Sequence, residues 1–285
     1  MPAAGAGLAR PALMAMDAGS LPASSATAAA MPKATAFRVL TANIHMGFDM
    51  LQRRFVLPQL RDAIRTVGAD IVFLQEVLGS HSGHAQRWRG WPQAPHYEFL
   101  ADSLWPQFAY GRNAVYPEGH HGNALLSRLP IMRRQNHDIS VAGHENRGLL
   151  HCELELPGHG QTLHAICVHL GLREAHRRRQ LDLLCQELAL RVPPDAPVVV
   201  AGDFNDWRAT GHRRLRSCGL VEVFELKRGR LARSFPARWP LLPLDRLYVR
   251  GLAVHEVAVH GAAPWSRLSD HLPLSAHLSL PEAAA

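Results

Sequence analysis

An apolar run, Val198-Val199-Val200-Ala201, passes without a break into Gly202-Asp203-Phe204-Asn205-Asp206. A segment suited to burial therefore ends on groups able to bind metal, water or phosphate. The same juxtaposition recurs along the chain. Asn43 closes AFRVLTAN, Glu76 follows Gln75 in DIVFLQEV, His169 lies in CVHLGL, Asp245 in LDRLYV, and Asp270-His271 in SDHLPL. The set is rich in oxygen and contains no thiolate, a donor chemistry that favours Mg²⁺, Mn²⁺ or Ca²⁺ over zinc. Mg²⁺ takes few carboxylates and keeps several waters, so Glu76 with help from Asp270 or Asn43 suffices as a metal set. A metal so held can bridge a phosphate oxygen and offset the charge that builds in a transition state.

Asp203 and Asn205 stand two apart. In an extended segment both point to one side while Phe204 points to the other and anchors the turn. One can orient a water; the other can donate an amide hydrogen bond to phosphate. Asp206 then faces away, as a structural or capping residue. At SDHLP, His271 could be held by Asp245 across the site, which would raise its cationic fraction beside a phosphate. Each member alone has a plainer reading. Gln75-Glu76 could be a solvated strand end, Gly-Asp an ordinary turn, His169 a hydrogen-bonded core histidine, and Asp245-Arg246 a surface ion pair. The ordered combination is more specific than any of them.

Such groups need rigid elements to aim them. Leu57, Leu60, Ile64 and Val67 fall at helical spacing, with Pro58 tolerable in the first turn and Gly68 as the stop. A second helix is expected over 174–190, with Leu181, Leu184, Cys185 and Leu188 on one face and Arg177, Arg178 and Arg179 in its first turns. Strands are expected over 36–43, 70–77, 123–127, 149–156, 163–170, 198–201, 244–249, 254–259 and 274–280. Residues 81–108 form a long connection, too apolar at Trp88, Trp91 and Trp105 to be a loose linker. No internal repeat appears. Continuous apolar strands with two helices point to stacked sheets covered by helices, with the polar residues gathered at strand ends.

The chain has 285 residues, 47% of them hydrophobic, and no apolar run near the length of a membrane span. Its formal net charge is +7, carried almost wholly by arginine since Lys33 and Lys227 are the only lysines. A basic surface favours phosphate-bearing partners, nucleic acid or anionic lipid, and allows peripheral contact with an anionic membrane. The cysteines, Cys152, Cys167, Cys185 and Cys218, form no CxxC pair. Three lie in apolar-patterned segments, which suggests small buried hydrophobes in a reducing compartment, the cytoplasm. Residues 1–35, rich in Ala, Gly and Pro and without periodicity, read as a disordered tail; Pro11, Met14 and Asp17 interrupt any secretory h-region. Met31 is a plausible true start. Residues 36–282 read as a single domain.

The stretches TANIH, FLQEV, GNALLSR, CVHLGL, GDFND, LDRLYV and SDHLPL, in this order between residues 41 and 274, resemble the endonuclease/exonuclease/phosphatase superfamily. That superfamily includes DNase I, the exonuclease III-type abasic endonucleases, neutral sphingomyelinases and inositol-polyphosphate 5-phosphatases. FAYGRNAVYPEGHHGNALLSR and HLGLREAHR are similar to its bacterial YbhP-like branch. The resemblance implies an α/β four-layer sandwich of the DNase I-like type, helix–sheet–sheet–helix, with the active site at one rim. It implies Mg²⁺ or Mn²⁺ as cofactor, with Asn43, Glu76 and Asp270 at the metal. Asp203 would align or deprotonate the attacking water, Asn205 bind the phosphate, and Asp245 and His271 form the Asp–His pair, with His169 as second histidine. Arg147, in ENRGLL, and His121 would lie on the phosphate side. The implied reaction is in-line attack of water on a phosphoester. Abasic endonucleases carry a tyrosine where Gly119-His120-His121-Gly122 has His120, which counts against abasic DNA as substrate. A lipid or small phosphodiester is the first reading, a DNA or RNA nuclease the alternative, and a non-catalytic phosphate-binding module the third.

Overall fold

A computed structural model describes residues 36–141, 145–158 and 160–281. The tail expected over 1–35 and the start expected at Met31 lie outside the described residues. In chain order the elements are β1 (Ala36–Asn43), α1 (Leu57–Val67), β2 (Ile71–His81), α2 (Ser82–Arg87), α3 (His96–Ala101), β3 (Gln107–Tyr116), β4 (Gly119–Ser127), β5 (Ile131–Asp138) and β6 (Gly148–Leu156). They continue with β7 (Gln161–His169), α4 (Glu174–Arg191), β8 (Val198–Asp203), α5 (His212–Ser217), β9 (Val221–Glu222), α6 (Val223–Arg228), β10 (Asp245–Arg250), β11 (Ala253–Val259) and β12 (Leu274–Ser279). One six-stranded sheet runs β11-β12-β1-β2-β4-β3 and a second β5-β6-β7-β8-β10-β9.

Alternation along β8 explains the valine run. Val199 and Ala201 enter the apolar layer between the sheets, with Phe73, Leu150, Cys152 and Cys167. Val198 and Val200 face outward beneath Leu181, Leu184 and Leu188 of α4. A strand buried on both faces has no polar positions to spare until its tip. The other outer layer packs Leu40, Val72 and Leu74 against Leu57, Leu60 and Ile64 of α1. Three apolar layers thus separate four layers of structure, as the resemblance implies. Pro58 sits in the first turn of α1, and Gly68 closes the helix at φ 65°, a left-handed conformation that glycine adopts without steric cost.

Several expectations need correction. Between residues 81 and 108 lie α2, α3 and the start of β3 rather than a connection alone. There Trp105 is buried, its Nε1–H donating to Ala69 O at 3.0 Å, while Trp88 and Trp91 close on Phe48. The strand β5 was hidden because it is an edge whose residues are mostly exposed and polar. Cysteines 152 and 167 are buried thiols, but Cys185 and Cys218 are joined in a disulfide. Cys185 on α4 and Cys218 just past α5 lie 33 residues apart in sequence, so no local spacing announced the pair. Arg177 does not belong to a basic surface: it is buried and donates to the Gly171 and Leu172 carbonyls.

Candidate active site

The strands β1, β2, β7, β8 and β10 bring their ends to one rim. In register, Asn43 pairs with Gln75, His169 with Asp203, and Asp203 with Asp245. Residues remote in sequence therefore become neighbours by strand pairing alone.

Asp203 is the hub. Its Oδ2 accepts from Asn43 Nδ2 at 3.2 Å and lies 3.6 Å from His169 Nε2 and 3.8 Å from His271 Nε2. The other oxygen, Oδ1, accepts the Asn205 backbone N–H at 2.9 Å. Asn205 is not extended as expected: it is left-handed at φ 50°, because the Asp203 carboxylate folds the chain back in a side-chain-closed turn. Its Nδ2 donates to Leu170 O at 2.9 Å, which leaves the second amide hydrogen for a ligand. Phe204 is buried against Tyr248, so the anchor expected of it is present. Asp206 turns inward to cap the Thr210 and Gly211 amides and to pair with the buried Arg246. Arg246 thus pairs within the core with Asp206, not with Asp245 at the surface.

Glu76 reaches the rim through a bulge. Val72 and Leu74 face the outer layer, and the next residue to do so is Val77, one step out of alternation. The register between β2 and β4 shifts between Leu74 and Val77, and Glu76 sits at φ 55°. The extra residue frees Glu76 from the pleat and re-aims its carboxylate. Asn43 Nδ2 donates to it at 3.3 Å. Burial, with the nearby Asp270 and Asp203 charges, pushes the Glu76 carboxyl above its usual range, although Asn43 and His45 oppose this.

Asp270 is placed by the segment after the turn at Trp265–Arg267. Ser269 Oγ donates to Asn43 O at 2.8 Å, tying that segment to the end of β1, and His45 Nδ1 lies 3.8 Å from Asp270 Oδ1. His271 Nδ1 donates to Asp245 Oδ2 at 2.7 Å. Burial works against a charge on this ring, but Asp245 and Asp203 prevail and lift its pKa to about 10. His169 has the opposite fate: burial and the neighbouring Arg147 guanidinium hold it down to about 3. The two imidazoles nearest Asp203 are therefore shifted in opposite directions. Arg147 is braced by its Nε–H on Leu170 O at 3.3 Å, with its charge felt by Asp203 and Glu76. His121, beside Arg147 on β4, has a buried Nδ1 with no hydrogen-bond partner, and burial lowers its pKa. His120 faces away, its Nδ1 2.9 Å from the Tyr110 hydroxyl.

All the residues expected at the site thus reach one rim. Sequence reasoning missed His45, Ser269 and Asn123, the last of which spans the sheets through its amide on Gly148 O at 3.0 Å. Only the His that follows Asn43 in TANIH offered a signal.

Glu76 and Asp270, near enough for their charges to interact, bring to the rim the hard-oxygen chemistry that suits a divalent cation. The Asn43 amide turns Nδ2 to Glu76, and its Oδ1 accepts the His45 N–H at 3.1 Å. Burial holds the Glu76 carboxyl above its usual range, a cost that a bound cation would offset. Ligand atoms of Asp203, Asp245 and His271 also lie within 4.8 Å of one another. In that group His271 Nδ1 is engaged by Asp245 Oδ2 at 2.7 Å and the donors include a nitrogen, which suits Mg²⁺ less than oxygen alone. The Glu76 set is the better fit.

Residues 40–271 match the Endonuclease/Exonuclease/phosphatase family. YbhP of Escherichia coli K12 is 54% identical over 245 residues, 86% of this chain and 96% of the relative. An endonuclease/exonuclease/phosphatase from Beutenbergia cavernae superposes with a TM-score of 0.69 at 20% identity, covering 87% of this chain and 73% of that one. TDP2 of D. rerio, solved with a single-strand DNA product, superposes at 0.63 with 16% identity, covering 86% and 99%. By its sequence over most of its length and by its fold, this chain belongs to the endonuclease/exonuclease/phosphatase family.

Proposed function

We propose that the protein is a divalent-metal-dependent phosphoester hydrolase, using Mg²⁺ or Mn²⁺, that attacks phosphorus in line with water. The observation that carries this reading is the Asp203 carboxylate, which lies within 3.2 to 3.8 Å of Asn43, His169 and His271 while Asp245 Oδ2 lies 2.7 Å from His271 Nδ1. Asn43, Glu76 and Asp270 would hold the ion, which when bound offsets negative charge on the phosphoryl oxygens. Asp203 orients the water and takes its proton as the oxygen–phosphorus bond forms. The leaving oxygen departs on the opposite side. The His271 cation, the Arg147 guanidinium, His121 and the free Asn205 amide hydrogen face the phosphate, stabilising charge as it develops.

Purified protein with Mg²⁺ or Mn²⁺ is expected to hydrolyse bis-p-nitrophenyl phosphate, and Glu76→Ala or His271→Ala to lower the rate about 10²- to 10³-fold or more. A rate unchanged by chelation would sink the mechanism.

For the substrate, a lipid or small phosphodiester is the first reading. The loop from Phe235 to Leu242 is pinned beside the site, with the Ala237 N–H donating to Asp270 O at 2.7 Å. It carries Trp239 and Leu241, 72% and 63% exposed. Apolar side chains displayed there suit an interface where a lipid headgroup enters the rim. Nuclease action is the second reading, supported by the net charge of +7. Headgroup release from anionic liposomes, lost in Trp239→Ser, supports the first; nicking of supercoiled plasmid by wild type but not Asp203→Asn supports the second. A cytoplasmic location, expected from the cysteines, is at odds with the Cys185–Cys218 bond, since cytosolic thiols are usually kept reduced. Thiol counting after rapid alkylation in intact cells decides it. Among the described residues, no helix is long and apolar enough to cross a membrane.

A further inference from the structure

Beneath α4, on the outer face of the second sheet, apolar packing gives way to a polar cluster. His137 on β5, His151 on β6 and His164 on β7 lie side by side, and Glu187 enters from α4 between Leu184 and Leu188. Strand register makes the three histidines diagonal neighbours: Gln135 faces His151, and His164 faces Glu153. His151, His164 and Glu187 are buried. Ionisable groups at a helix–sheet interface are costly unless something binds them.

The geometry converges on one carboxylate oxygen. Glu187 Oε1 lies 2.9 Å from His151 Nδ1 and 3.0 Å from His137 Nε2. His137 Nε2 is nevertheless buried without a hydrogen-bond partner, so it is close to Glu187 but not aligned to donate to it. Ligand atoms of His137, His151 and Glu187 all lie within 4.8 Å of one another. Nitrogen and oxygen ligands about 2.0 Å from a tetrahedral ion stand about 3.3 Å apart, so this cluster needs only a slight expansion. Outer contacts are in place. His151 Nε2 lies 2.9 Å from His164 Nδ1, so an Nε2–H donated there leaves the Nδ1 lone pair for a metal. Arg191 Nε holds Glu187 Oε2 at 3.1 Å, leaving Oε1 for the ion. A cavity of about 280 Å³ reaches His151 between Arg133 and Arg191, giving an approach from solvent.

We propose that His137, His151 and Glu187 form a second metal site, of the zinc type, with a fourth position open to this cavity. Two imidazoles and one carboxylate select zinc-like ions, whereas the oxygen set at the rim selects Mg²⁺ or Mn²⁺. Bound there, the ion would clamp α4 to the sheet. The same helix carries Arg177 and Gln180, whose side chains hold the segment after His169.

The test is zinc titration of untagged, chelator-stripped protein in millimolar Mg²⁺, which occupies the oxygen set, followed by calorimetry and metal counting. Wild type should take up one tight equivalent of Zn²⁺, with a rise in melting temperature. His137→Gln and Glu187→Gln should weaken binding by about 100-fold or more, and His164→Phe by roughly 10- to 100-fold. His137→Gln, on a partly exposed edge strand, should keep the fold and the rate with bis-p-nitrophenyl phosphate, so it decides the matter even if Glu187→Gln does not fold. Equal zinc uptake by His137→Gln, loss of the equivalent in Asp270→Asn instead, or no tight uptake by wild type would each overturn the proposal.

Discussion

In the proposed mechanism Asp245 acts through His271. Its Oδ2 accepts the His271 Nδ1–H at 2.7 Å, and Asp245 is itself buried. Asp245→Asn should therefore leave substrate binding nearly intact and lower kcat about 10²- to 10³-fold, with the pH profile moving toward acid as the imidazole loses its carboxylate. Steady-state kinetics across pH checks both. Glu222 makes a prediction about stability instead. Burial lifts its carboxyl from 4.5 to about 7, while one oxygen caps α6 by accepting the Glu225 N–H. Because the folded pKa lies above the unfolded one, this group favours folding most below about 4.5, and that contribution is lost as pH rises through 7. The span is worth at most on the order of 3 kcal/mol. Glu222→Gln keeps the capping oxygen, so its urea midpoints at pH 5 and pH 8 should differ less than those of wild type. Of the rim residues, the carboxylates and the histidines other than His45 were legible in sequence because their types announce chemistry at strand ends. Ser269, Asn123 and the left-handed turn of Asn205 were not, since a hydroxyl, an amide and a backbone angle gain meaning only from what tertiary packing sets beside them.

Elements place those residues by two local departures from regularity. The bulge in β2 presents Glu76, and the close approach of β7 to β8 presents Asp203. At Gly202, with φ 149°, an added Cβ would stand 1.9 Å from Val168 O. Gly202→Ala must push the two strands apart one residue before Asp203. We expect a loss of about 1–3 kcal/mol in stability and a larger fractional loss of turnover than of folded protein, read by urea unfolding beside kinetics. Continuous apolar strands such as β8 and the helix α1, with its proline start and glycine stop, could be read directly. β3 and β5 could not. Both have too few buried positions to show an alternating pattern.

At the scale of the whole molecule, the layer between the sheets is almost wholly apolar, and its few polar links join one sheet to the other. Gln75 Nε2 donates toward Cys167 Sγ at 3.3 Å, and the Cys167 thiol points to Leu74 O. Cys152 lies in the same layer, and burial pushes both thiols up to about 12. Cys185 and Cys218, bonded to each other, offer no thiol. The protein thus carries its own clock for global opening. Pulsed alkylation should leave Cys152 and Cys167 untouched in the native state and modify them together only when the sheets part. Their labelling rate, followed by mass spectrometry, would then report how often the molecule breathes through its middle, with no residue introduced for the purpose.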